Sequence, residues 1–218
     1  GTLGVDGGTA TIGAGGQVVG SSTITSGTLD VSGTVAGVTN NATLTVQQTG
    51  SAGSVNNSLS GSGTNNGTVA ALANAGTFTN SGNITGNATT SGTLTSTGSI
   101  AGTLAVDGGS ATIGAGGQVS GASTVNFGSM VVSGTVAGVT NNATLTIQSG
   151  GNAGSVNNLA SATATNNGTA ASLANAGTFT NSGNITGNAT TSSTLTSTGS
   201  IAGTLGVDGG SATIGAGG

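Results

Sequence analysis

The stretch GTFTNSGNITGNATTSGTLTSTGSIAGTLAV, residues 76–106, contains no charged side chain, no proline and a single aromatic ring, that of Phe78. Its apolar residues recur about every sixth position, as at Leu94, Ile100 and Val106. Thr, Ser, Asn and Gly stand between them, and these residues favour either short strands or tight corners. The rhythm therefore predicts short β-strands that are joined by turns at regular intervals.

The whole chain repeats one block of sequence. The opening GTLGVDGGTATIGAGG, or a close variant of it, begins at Gly1, Gly102 and Gly203, which gives a period of 101 residues. Blocks 1–101 and 102–202 align without a gap, with 79 of 101 positions identical, and residues 203–218 begin a third block. Because the chain starts without Met and stops within a block, we expect one continuous rod that is part of a longer array.

A finer period lies within each block. Short apolar landmarks that follow Thr or Ser fall at Leu29, Leu44, Leu59, Phe78, Leu94, Ile113 and Met130. The steps between these landmarks are unequal, and six of them fill one block. Three faces of about six residues each would make one coil of roughly seventeen residues. The sequence therefore predicts an all-β fold, a parallel β-solenoid (β-helix) with about six coils per block.

Two other interpretations of the repeat stay open. A period near 100 residues also fits a string of immunoglobulin-like sandwiches, and a chain rich in Gly, Ser, Thr and Asn also fits a flexible linker. A sandwich needs large buried side chains, whereas the chain has 3 Phe and neither Trp nor Tyr. A linker needs no regular spacing of β-branched residues. Within the solenoid, TVAALANAG at residues 68–76 is expected to form a short helical or irregular interruption.

Composition argues against several classes of function. The chain has no Lys, Arg, His or Cys, and its ionisable side chains are Asp6, Asp30, Asp107 and Asp208. Nucleic acids and anionic membranes are bound through Lys and Arg, so we expect neither as a partner. Catalysis draws on the residue types that are missing, so we expect no enzyme and no cofactor. No apolar run approaches the roughly 20 residues that span a bilayer, so we expect no membrane insertion.

The recurring VDGG is the one motif with a carboxylate, and it raises the question of a calcium site. Ca²⁺ takes about 6–8 oxygen ligands, which needs several oxygen donors close together. In the predicted solenoid, successive copies such as Asp6 and Asp107 lie six coils apart, or about 29 Å at the usual strand spacing. We therefore expect these aspartates to lie in turns and to form no metal site.

Candidate binding residues come from Thr-x-Thr pairs, in which two outward Thr flank one inward residue. In ATLTV, residues 42–46, alternation puts Leu44 and Val46 inward. The candidate set is Thr43, Thr45, Thr77, Thr79, Thr93 and Thr95. Such ranks resemble the ice-binding surface of some β-helical antifreeze proteins, so ice or a glycan is an alternative ligand. Strand preference alone also explains the Thr, and the unequal steps between landmarks leave open whether the pairs share one face.

The cadence NAGTFTNSGNITGN at residues 74–87, followed by SGTLTSTGSIAGTL at 91–104, resembles a known kind of repeat. It is similar to the β-helical stalks of bacterial autotransporters and filamentous-haemagglutinin-like adhesins, and the similarity extends over essentially all of the chain. The resemblance implies secretion, an extracellular location on the bacterial cell surface, and a role in adhesion, aggregation or biofilm. We therefore expect a structural rod or filament segment, with further copies of itself and a host or neighbouring cell surface as partners.

Overall fold

The computed structural model describes residues 1–217, and every strand in this part of the chain belongs to one wound sheet. All 26 strands pair in parallel with strands one coil earlier or later, which confirms the predicted parallel β-solenoid. The described residues contain no helix that is long and apolar enough to cross a membrane. The third, partial block is described as far as residue 217, and the last residue of the predicted range 203–218 lies outside the described residues.

The strands repeat from block to block. Those of the first block are β1 (Leu3–Ile12), β2 (Gln17–Val31), β3 (Thr34–Asn40), β4 (Thr43–Val46), β5 (Ser51–Asn57), β6 (Ser62–Asn65), β7 (Thr68–Asn74), β8 (Thr77–Asn80), β9 (Asn83–Ile84), β10 (Ala88–Thr90), β11 (Thr93–Ser96) and β12 (Ser99–Ile100). Those that follow are β13 (Leu104–Ile113), β14 (Gln118–Val132), β15 (Thr135–Asn141), β16 (Thr144–Ile147), β17 (Asn152–Asn158), β18 (Thr163–Asn166), β19 (Thr169–Asn175), β20 (Thr178–Asn181), β21 (Asn184–Ile185), β22 (Ala189–Thr191), β23 (Thr194–Ser197), β24 (Ser200–Ile201), β25 (Leu205–Val207) and β26 (Ser211–Ile214).

Each coil has three faces, and we name them by their residues. The threonine face consists of thirteen stacked four-residue segments, at 9–12, 28–31, 43–46, 62–65, 77–80, 93–96, 110–113, 129–132, 144–147, 163–166, 178–181, 194–197 and 211–214. The second face consists of residues 34–35 and their register partners, and the third of residues 37–40 and theirs. Strand β5 runs over both the second and the third face in one coil.

Register on the threonine face corrects one landmark of the sequence analysis. Leu44 lies over Leu29, the landmark before it, as the rhythm predicts. The next residue in the column is Gly63, further along the chain, and not Leu59. Leu59 lies outside the strands and is 86% exposed. The prediction of an inward residue at Leu59 was therefore wrong, whereas the prediction of six coils per block is confirmed.

Unequal coil lengths are absorbed at the corners. The coil between Leu44 and Gly63 makes two four-residue turns, closed by backbone hydrogen bonds from Gly50 to Gln47 and from Gly61 to Ser58, each 2.8 Å long. The shorter coil before it passes the same two corners with two residues each, at 32–33 and 41–42. The strands above and below therefore stay in register even though the coils differ in length.

Residues 68–76 correct a second expectation. Residues Thr68–Asn74 form strand β7, where we expected a helical or irregular interruption. Val69 and Leu72 point into the core, and Leu72 stacks on Val55 of the preceding coil. The Ala-rich composition favours a helix locally, but the ladder with the coils on both sides outweighs that preference.

The core is a thin column of stacked apolar side chains that runs through all described coils. Its largest fully buried members are Phe78 and Phe179, which occupy equivalent positions in the two blocks. The coil before each ring supplies a small residue, Gly63 under Phe78 and Ala164 under Phe179. The small residue below each ring leaves the space that lets one bulky side chain fit into an otherwise slim core.

Buried asparagines form ladders along the core, as the sequence allowed at its corners. The longest ladder in block 1 runs from Asn40 to Asn57 to Asn74 to Thr90, with donor–acceptor distances of 2.6, 2.8 and 3.0 Å. All four side chains are buried. The same ladder recurs in block 2 at Asn141, Asn158, Asn175 and Thr191. A second, shorter ladder at the end of the threonine face joins Asn65, Asn80 and Ser96, and recurs at Asn166, Asn181 and Ser197.

Each ladder amide also ties a strand to a corner. The Asn57 side chain donates to the carbonyls of Gly61 and Thr77, at 3.1 and 3.0 Å, besides the Oδ1 of Asn74. Similarly, the backbone N–H of Ala42 donates to the Oδ1 of Asn40. A buried amide that lost these partners would cost free energy, so the ladders fix both the register and the corner.

A pair of glycine substitutions tests how tightly the coils approach. A Cβ on Gly53 would overlap the carbonyl oxygen of Ala36 one coil below. Gly53→Ala should lower the free energy of unfolding by about 1–3 kcal/mol, as overpacking does. A Cβ on Gly63 would overlap the buried ring of Phe78, which would have to shift, but block 2 accommodates the same pair with Ala164 under Phe179. Gly63→Ala should therefore change stability by less than about 1.5 kcal/mol. Equal denaturation midpoints for the two variants would contradict the close stacking.

A second pair of substitutions tests the asparagine ladder. Asn57→Leu removes the middle of the ladder and leaves the amides of Asn40 and Asn74 with one partner fewer. We expect it to lower the free energy of unfolding by about 2–5 kcal/mol, since each buried polar group left unpaired costs about 1–3 kcal/mol. The neighbouring Asn56 is exposed, so Asn56→Leu is the matched control and should have little effect. Chemical denaturation of both variants measures the difference; equal stabilities would mean that the ladder does not hold the register.

Candidate functional surface

The threonine face presents two outward columns of side chains. The first column is Thr9, Thr28, Thr43, Ser62, Thr77, Thr93, Ser110, Ser129, Thr144, Thr163, Thr178, Thr194 and Ser211. The second is Thr11, Asp30, Thr45, Thr64, Thr79, Thr95, Thr112, Val131, Thr146, Thr165, Thr180, Thr196 and Thr213. Of these 26 side chains, 20 are Thr and 4 are Ser. The face is therefore an almost unbroken array of hydroxyl groups.

All six candidate residues of the sequence analysis lie in this array. Thr77 and Thr93 are direct register partners, as are Thr79 and Thr95. Thr43 and Thr45 join the same columns two coils earlier, through Ser62 and Thr64. The question that the unequal coil lengths left open is thereby answered: these pairs share one face, because the extra residues are accommodated in the corners.

Sequence reasoning assigned the outward Thr only in part. It missed the Ser-x-Thr coils, such as Ser62 with Thr64, because Ser was not counted as equivalent to Thr. The pattern alone also does not identify the face, since Thr23 and Thr25 flank Ile24 in the same way, yet Thr23 lies on the third face, opposite Thr39. Which residues stack depends on the number of residues at each corner, and the Thr-x-Thr pattern does not show that number.

Strand preference does not account for the whole array, because the faces differ. On the third face the central outward column is Gly4, Thr23, Thr39, Asn56, Ala73, Thr89, Ala105, Thr124, Thr140, Asn157, Ala174, Thr190 and Gly206. Thr fills 6 of these 13 positions, compared with 20 of 26 on the threonine face. Both faces are made of parallel strands in the same coils, so a general preference of Thr for strands would enrich them equally. The enrichment belongs to one face.

The hydroxyls of the array are free to bind something outside the chain. Among the side-chain hydrogen bonds within residues 1–217, none involves a hydroxyl of the two columns; the bonds of these coils go to buried amides and backbone carbonyls. Thr43, Thr77, Thr79 and Thr93 are exposed, and Thr45 is half-buried. Each hydroxyl therefore keeps its donor and its acceptor sites for solvent or a ligand.

Two positions interrupt the hydroxyl columns. Asp30 occupies the second column in block 1, and its carboxylate accepts a 2.7 Å hydrogen bond from the Nε2 of Gln47 in the next coil. The equivalent residue in block 2 is Val131. No function common to both blocks can therefore depend on the Asp30 carboxylate.

The expectation that the VDGG aspartates lie in turns was wrong for Asp6 and Asp107, which lie within strands β1 and β13 where the register shifts, whereas Asp208 lies outside the strands. Asp107 and Asp208 lie beside shallow clefts at the corner between the third face and the threonine face. The cleft beside Asp107 has a volume of about 200 Å³ and the one beside Asp208 about 240 Å³. The Asp107 carboxylate accepts a 2.6 Å hydrogen bond from Asn126. Within residues 1–217 no three acidic, His or Cys side chains come together in a group that could hold a metal ion.

In comparisons with known proteins, no family model, curated protein or solved structure matches the chain. The fold and the threonine face thus come from the chain's own sequence and geometry.

Proposed function

We propose that this chain is a segment of a stiff extracellular rod or filament in a bacterial surface adhesin or fibre, which supports adhesion, aggregation or biofilm. The observation that carries the proposal is the continuous ladder: each face passes from block 1–101 into block 102–202 with its register intact. A stack without a break between blocks forms one stiff rod that lengthens with each block, whereas separate domains would be joined by linkers.

Composition supports a structural role without catalysis. The chain lacks Lys, Arg, His, Cys and Tyr, and its carboxylates are dispersed along the rod. The absence of Lys and Arg also removes every trypsin cleavage site, which suits a protein that is exposed outside the cell. The resemblance to autotransporter and haemagglutinin-like stalks supports the surface location. Further copies of itself and a host or neighbouring cell surface are the proposed partners, in keeping with that resemblance.

The threonine face favours a second candidate function, which is binding of a ligand with regularly spaced hydrogen-bonding groups, either ice or a glycan. The specific observation is that 24 of its 26 outward side chains carry a hydroxyl. A rod that only provided reach would not need one face to differ from another in this way.

The rod proposal predicts how length depends on the number of blocks. The described chain makes twelve steps from residue 10 to residue 212, which gives a rod of about 58 Å at the usual spacing of 4.8 Å. Inserting one more copy of residues 102–202 should add six coils, or about 29 Å. Electron microscopy of both purified proteins measures the difference. Bead strings, or globules that widen without lengthening in this proportion, would contradict the proposal.

The surface location has its own test. An antibody against block 1–101 should label intact cells that produce the full-length protein, because the segment is proposed to lie outside the outer membrane. Amine-reactive labels cannot be used for this purpose, since the chain has no Lys. Labelling that needs permeabilised cells would show that the rod is not on the surface; an antibody against a cytoplasmic protein serves as the control.

A further inference from the structure

We infer that the threonine face binds ice. The inference rests on the ligand-binding candidate function above, not on the role of the rod in adhesion, and it commits that function to one ligand. Three properties of the face carry it: the spacing of its columns, the chemistry of its side chains and its lack of charge.

The spacing of the array is close to the repeat of frozen water. Neighbouring coils place equivalent hydroxyls about 4.8 Å apart, and the two columns lie two residues apart on a strand, or about 6.7 Å. Tetrahedral water with an O···O distance of about 2.75 Å repeats at about 4.5 Å between next-nearest oxygens and at about 7.3 Å along the perpendicular hexagonal axis. Both differences are below an ångström, which χ1 rotation of the Thr side chains can accommodate over short runs.

Thr is suited to hold water in such a lattice. Its hydroxyl group both donates and accepts hydrogen bonds, as each water molecule in the lattice does. As a β-branched residue it has few χ1 rotamers, so the array loses little side-chain entropy when it becomes ordered against a surface. The hydroxyls make no hydrogen bonds to the protein within residues 1–217, so they are available for water.

The length of the array makes weak contacts effective. Each hydroxyl contributes little on its own, but thirteen coils present their pairs on one rigid surface. Once one coil is seated, the coils next to it bind at a high effective concentration, within each short run over which the coil spacing stays in phase with the lattice. Apart from Asp30, the two columns carry no charge that would keep its own hydration shell.

A glycan fits the face less well. Binding sites for small molecules are usually concave and lined by apolar or aromatic groups. The chain has no Trp or Tyr, and Phe78 and Phe179 are fully buried. The exposed ring of Phe127 lies opposite Asp107, outside the hydroxyl columns, and block 1 carries Ser26 in its place, so it is not part of a repeated site. The clefts beside Asp107 and Asp208 lie at a corner and not on the hydroxyl columns. A straight, periodic array therefore matches a crystal surface better than an individual sugar.

The test compares matched double substitutions on two faces. T79K/T180K places one Lys at the same point of the threonine face in each block, and T89K/T190K places one Lys at the same point of the third face. All four Thr are exposed, and both variants change equivalent positions of the two blocks. Thermal hysteresis and inhibition of ice recrystallisation are measured for the parent chain and both variants at equal concentration, and circular dichroism checks that each variant is folded.

We expect the parent and T89K/T190K to show equal hysteresis and T79K/T180K to lose most of it. Absence of hysteresis in the folded parent overturns the inference, and so does an equal loss in both variants. Should the Lys variants unfold, the uncharged pair T79Y/T180Y and T89Y/T190Y tests the same prediction through side-chain bulk. A glycan array run on the same parent chain distinguishes failure of the ice inference from failure of the broader ligand-binding function. Glycan binding without hysteresis refutes ice binding and keeps the ligand-binding function. No signal in either assay refutes both.

Discussion

The parallel hydrogen-bonded ladder between successive coils is the interaction on which the rest of this structure depends. Because each strand pairs with the strand one coil earlier and one coil later, every side chain has a neighbour of the same orientation about 4.8 Å away on each side. A residue is therefore selected for how it stacks. Leu44 on Leu29 and Asn57 on Asn40 illustrate the two outcomes, a column of apolar contacts and a column of amide hydrogen bonds.

Stacking also gives a physical reason for the unusual composition. Two like charges about 4.8 Å apart repel by about 0.9 kcal/mol even in water, and a ladder would repeat that cost at each coil. Neutral Thr, Ser and Asn carry hydrogen-bonding groups without it. Where the strand ends turn inward, Asn is the residue that can bond both along the column and to the corner, as Asn57 does with Asn74 and Gly61. The charge-poor surface and the polar core ladders thus have the same origin.

Much of the fold could be predicted from the sequence, and the failures share one cause. The duplication of the long block and the alternation at Leu44 and Val46 specify the solenoid, the number of coils and the direction of the side chains. Leu59 and residues 68–76 were misassigned because local spacing and local propensity were used to assign them. The pairing between coils determines which residues stack and which form strands. The continuity of the threonine face could not be derived for the same reason, since it depends on corners that take up two residues in one coil and four in the next.

Register is consequently the central claim, and the absence of Cys from the chain allows a direct test of it. The variant T45C/T64C joins two positions that lie opposite each other in adjacent coils. The variant T45C/S60C joins the positions that would stack if this coil were as short as the coil before it. Mild oxidation, followed by non-reducing electrophoresis or mass spectrometry, should yield an intramolecular disulfide in T45C/T64C and little in T45C/S60C. The opposite pattern, or equal cross-linking of both, would contradict the stacking register from which the core, the ladders and the threonine face all follow.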